Sequence, residues 1–170
     1  MDNHKSDTVI VRYPAKTTIV LLIILFFLEL AVVFLAVSQQ HRAVCIVLGI
    51  AIAIFCIYIA IASTLFCIQV NGTVFEVRTK TGKKFSFACN EINKISCKKI
   101  DSVKNGPSFY IYVFANDNTL TVEGRMAGFR ELASYLLTQL STGEIPDTAA
   151  SSSCKTELRR YANGEIYTKE

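Results

Sequence analysis

The sequence predicts an α-helical transmembrane hairpin joined to a small α+β module, a strand meander or partial barrel closed by a C-terminal amphipathic helix. Three observations carry this fold class. Two long apolar blocks lie before residue 71, alternation of apolar and polar residues follows them, and from Met126 to Leu140 the apolar residues recur at three- and four-residue steps. Of the 170 residues, 51% are hydrophobic and 19% charged, which excludes disorder throughout. A net charge of +4 is too mild to point to nucleic acid by itself.

The first apolar block, 17-37, carries a single charge, Glu29. At 1.5 Å per residue it reaches about 31 Å, the thickness of a hydrocarbon core. The second, 43-68, has no charge and is also long enough to span with some tilt. Only Ser38 to Arg42 separates them, which forces an antiparallel hairpin. A cleaved signal peptide is the competing account, since Ala36-Val37-Ser38 offers small residues. The length of the block and the charge of Glu29 argue against it. Lys5, Arg12 and Lys16 precede the hairpin and Arg78, Lys80, Lys83 and Lys84 follow it, whereas the loop holds Arg42 alone. That bias places both termini on the cytoplasmic side of a plasma membrane, with the loop 38-42 outside. The expected organisation is a flank over 1-16, a hairpin over 17-68, a module over 69-140 and a flexible tail over 141-170.

Within the hairpin, Glu29 is the costly residue, and it faces protein or water or is paired. Tyr58 leans back toward its level, so a Glu29–Tyr58 hydrogen bond is conceivable. Gly49 and Ala53 form a small-xxx-small pair that permits close helix approach. These four residues are candidates for assembly within the bilayer. Cys45, Cys56 and Cys67 recur every 11 residues and read as one apolar stripe, because neither CxxC nor nearby histidine supplies metal-ligand spacing.

Beyond Ile68 the period becomes that of strands. Asn71-Gly72 is a strong hairpin signal, followed by strands over 74–78 and 84–88. Further strands are expected over 95–100, 109–114 and 119–122, and a helix from Met126 to Leu140 needs a sheet to cover. The tail, with Pro146 and Ser151-Ser152-Ser153, has the composition of a loop.

In this order of elements the chain resembles bacterial membrane proteins that carry pleckstrin-homology-like domains on short transmembrane hairpins. The phrases IQVNGTVFEVRTKTGKKFSFACNEINKI and GRMAGFRELASYLL carry the resemblance. It implies a PH-like cytoplasmic module in a family of undefined function. The chain has no tryptophan, so the likeness to eukaryotic pleckstrin-homology domains is architectural.

Arg78, Lys80, Lys83 and Lys84 cluster around one hairpin and suggest contact with an anionic surface; a solvated edge is the plainer alternative. Catalytic constellations are absent from the sequence, whose only histidines are His4 and His41. No cofactor and no metal is expected, and the chain is not expected to be an enzyme. The expected function is an integral membrane protein presenting a binding module for proteins or the membrane surface. The alternative is an accessory subunit of a transporter or channel. The expected partners are the bilayer itself and a membrane protein or a second copy of the chain, with no nucleic acid and no small-molecule substrate.

Overall fold

The structure, a computed structural model, describes residues 8–37, 42–102 and 106–165. The readings that fall on the loop 38–41, on His4, Lys5 and Lys104, and on the last five residues lie outside that range. The described residues form two compact units, one drawn from 8–12, 67–79 and 83–165, the other from 13–66 and 80–82.

The larger unit holds two antiparallel sheets. In the first, β1 (Val9–Arg12), β2 (Cys67–Asn71), β3 (Val74–Arg78) and β4 (Lys84–Ala88) lie side by side in that order. In the second, β5 (Ile92–Ser102), β6 (Gly106–Ala115) and β7 (Asn118–Glu123) do the same. Alternation decides which residues turn inward. Val9, Val11, Ile68, Val70, Phe75, Val77 and Phe87 of the first sheet are buried, as are Ile92, Ile95, Ile111, Val113, Leu120 and Val122 of the second. The first hairpin turn centres on Gly72-Thr73, since Asn71 pairs with Val74, so Gly72 at φ +59° takes the first central position.

Two helices complete this unit. α3 (Phe129–Thr142) buries Phe129, Leu132, Ala133, Leu136 and Leu140 and lies against β1. α4 (Ser152–Asn163) occupies the segment expected to be a flexible tail, which is corrected here. Ser151 caps it by accepting from the Cys154 amide at 3.2 Å, and Gly164 at φ +76° ends it. Cys154, Leu158 and Tyr161, spaced by four and three residues, are its buried face. β1 was also unexpected. Its four residues read as a basic flank, yet they form an edge strand.

The smaller unit holds α1 (Ala15–Val37) and α2 (Arg42–Leu65), packed antiparallel. At one end the rings of Tyr13 and Phe66 meet at 5.1 Å. At the other, a Cβ on Gly49 would lie 3.9 Å from the Val32 side chain. The less exposed residues of α1 are Thr18, Leu22, Leu25, Glu29 and Val32, a seam of alternating four- and three-residue steps. α2 ends before Cys67, so the last residues of the expected second span are strand, with Ile68 fully buried in β2.

Over its described residues, no helix is long and apolar enough to cross a membrane. On that ground the expected two-span transmembrane hairpin is not retained. The same holds for the integral membrane function, the bilayer as partner and the multi-pass plasma-membrane placement. Ile24, Phe27, Phe34, Val44, Val47 and Ile54 all stand exposed.

Gly128, at φ +84°, precedes α3, and a Cβ there would collide with the Ile10 carbonyl of β1. Gly128→Ala should therefore destabilise the larger unit by at least about 2 kcal/mol, from left-handed strain plus the clash. Urea denaturation against the unmodified chain measures it, and an unchanged midpoint would show that β1 does not depend on this approach.

Candidate anion-binding row on the first sheet

The outward face of the first sheet is set by the register of its four strands. Arg12 of β1 pairs with Cys67 of β2, Cys67 with Arg78 of β3, and Arg78 with Lys84 of β4. These residues form one row across the sheet, with three cations and a small half-buried cysteine between two of them. Strands lie about 4.8 Å apart, so the row extends over about 14 Å. The next row holds Ile10, Gln69, Glu76 and Ser86.

Each cation is placed by the backbone behind it. Arg12 exchanges two main-chain hydrogen bonds with Ala127, donating at 3.1 Å and accepting at 2.9 Å. Arg78 and Lys84 end their strands where Thr79 donates its amide to the Lys83 carbonyl at 2.9 Å, closing the turn. Like charges directly opposite one another weaken a sheet. Among the described residues, none of Arg12, Arg78 and Lys84 makes an ion pair, and Glu76 makes none with them. Among the described residues, the sheet therefore holds three positive side chains together without an ion pair.

The basic cluster expected from the sequence is divided by the fold. Arg78 and Lys84 share the row, and Lys83 is exposed in the turn. Lys80 belongs to the smaller unit, where its ammonium stands 4.8 Å from the Tyr13 ring centroid, a cation–π contact. Arg12 is the member that sequence reasoning missed, because its strand is separated from β2 by the whole helical pair. The alternation Val9-Ile10-Val11-Arg12 was the available signal.

In the smaller unit, Glu29 lies half-buried on the α1 seam, and Gly49 and Ala53 are half-buried in α2. Tyr58 turns outward, 61% exposed, and among the described residues no hydrogen bond joins it to Glu29. The cysteine stripe is interrupted, since Cys56 is in α2 and Cys67 in β2.

A second polar cluster is structural. The Tyr135 hydroxyl of α3 donates to the Gly72 carbonyl at 2.6 Å, and it lies 3.2 Å from Cys89 Sγ. Its ring meets Phe75 edge-on at 5.8 Å. This latches α3 to the β2–β3 turn. Burial, then the bond to Cys89, pushes the Tyr135 phenol above its usual range, and burial does the same to Tyr161. Burial also raises the Cys89 thiol. Among the described groups with an expected metal ligand, no cluster of three or more could hold a metal ion.

Comparison with family models, with curated proteins and with solved structures finds no match to this chain. The resemblance to bacterial two-span membrane proteins with pleckstrin-homology-like domains is therefore not supported, and the family, the PH-like description and the bacterial origin it implied are set aside. The expected membrane-protein partner or second copy loses the same support.

The raised groups fix a pH dependence. Each keeps its proton in the folded chain above its ordinary value, 9.0 for Cys89 and 10.0 for the two tyrosines, so the stability they confer is complete below those values. It should decline as pH rises through them, because the unfolded chain then releases protons that the folded one retains. Urea midpoints measured from about pH 8 to about pH 11 should fall, and less steeply in Tyr135→Phe. A flat profile would contradict the burial of these groups.

Proposed function

We propose that the larger unit is a non-catalytic domain that binds a phosphate-bearing, multiply charged anion across Arg12, Arg78 and Lys84. The observation that supports this is the row itself, three cations aligned by strand register with no ion pair among the described residues. Two guanidinium forks suit the paired oxygens of phosphate, and the lysine adds a point charge. A single phosphate is narrower than a row of about 14 Å, so an anion with several charged groups engages all three. The non-catalytic part of the reading rests on chemistry. The row offers two guanidinium groups, an ammonium and the Cys67 thiol, with no carboxylate or imidazole in the row to act as a base, so it is built to hold negative charge.

Inorganic tripolyphosphate is a suitable probe, titrated calorimetrically into the full chain. Arg78→Gln with Lys84→Gln should weaken binding by at least tenfold at low salt. The unmodified chain should lose affinity as salt rises, because the contact is largely ionic. The double variant should fold at least as well as the original, since it removes a like-charged cross-strand pair. Equal affinity in the two proteins, with both folded, would sink the proposal.

A further inference from the structure

The C-terminal helix brings two thiols together that the anion row does not use. Ile95 of β5 forms a parallel bridge with Ala150, which lays the start of α4 alongside the strand. At Ile95 and Ala150 the bridged backbones run at strand spacing, about 4.8 Å. Two residues along β5 is Cys97, and in the first turn of α4 is Cys154. Cys97 Sγ donates to the Cys154 carbonyl at 3.5 Å.

We propose that Cys97 and Cys154 are a dithiol oxidation site, closed to a disulfide by a small peroxide. The two cysteines are unequal. Cys154 is buried, with 5% exposure, whereas Cys97 is half-buried and gives the pair its access to solvent. The neighbouring Cys97 thiol pushes the Cys154 thiol down, against burial and the nearby Glu157 carboxylate, while Cys154 and burial push Cys97 up. Cys154 also sits at the N-terminus of a 12-residue helix, whose dipole favours a thiolate.

The step balances. The Cys154 sulfur attacks one peroxide oxygen, the O–O bond breaks, and the departing hydroxide takes the thiol proton as water. Cys97 then attacks the sulfenic sulfur, an S–S bond forms, and the hydroxyl leaves with the Cys97 proton as a second water. The two thiols lose two protons and two electrons, and one peroxide becomes two waters. The bond ties α4 to β5 covalently. α4 carries Tyr161, whose ring packs on Phe109 at 5.7 Å and on Phe129 at 5.3 Å, so the tether also holds the contact between α4 and α3.

The test treats the full chain with hydrogen peroxide, blocks the remaining thiols with an alkylating reagent, and digests it for mass spectrometry. The expected result is loss of two alkylatable thiols and a joined pair of peptides holding Cys97 and Cys154, lighter than their sum by two hydrogens. Dithiothreitol should restore both thiols. Cys97→Ser should instead leave Cys154 as sulfenic or sulfinic acid, with no joined peptide. Either result overturns the proposal: both thiols fully alkylated after peroxide in the folded chain, or a joined pair formed by other cysteines in their place.

Discussion

The bond pair between Arg12 and Ala127 is the constraint on which the larger unit depends. β1 and β2 are neighbours in the sheet but stand on either side of residues 13–66 in the chain. A strand separated from its partner by so long an insertion has to be held from elsewhere. The two main-chain bonds to Ala127 do this at one end, with Gly128 bringing the start of α3 against the Ile10 carbonyl. A side chain at 128 would force these backbones apart, and β1 would lose its register. A slip of one residue would turn Val9 and Val11 outward and send Arg12 inward.

The functional face inherits that constraint. Arg12 stands in line with Arg78 and Lys84 only because β1 is paired in this register. The buried side of the same strands sets which residues are left for the surface. On the inner face of the same strands Val11, Ile68 and Val77 lie next to the row, and farther along Phe75 stacks on Phe87 at 4.9 Å. The anion row is thus the outward half of a pattern whose inward half forms the core.

The C-terminal segment completes the second sheet in a comparable way. α4 is polar along much of its length, and only Cys154, Leu158 and Tyr161 are buried. A helix with so narrow an apolar face gains its stability from docking against a partner more than from its own propensity. Here the partners are α3, β5 and, through the Tyr161 ring, Phe109 of β6. The cysteine pair lies at the docking point, where a covalent bond would act on a helix held by few side chains.

Several elements were legible in the residues alone. Strict alternation located β3 and β4, three- and four-residue spacing located α3, and uninterrupted apolar runs located both α1 and α2. Local signals of this kind are written into neighbouring residues, since helix and strand impose periods of 3.6 and 2. Other features depended on contacts distant in sequence. Four residues of β1 are too short to announce a strand without a partner. Ser151-Ser152-Ser153 reads as a loop until Ser151 is seen to cap α4. The basic cluster separates because Lys80 and Lys84, four residues apart, belong to different units. What surrounds α1 and α2 was read from their composition, and the described residues do not carry that reading. The sequence by itself determined where the periodic elements lie, because periodicity is local. Only the tertiary structure decided which cations share a row and which thiols meet, because strand register and helix docking join residues that the chain keeps far apart.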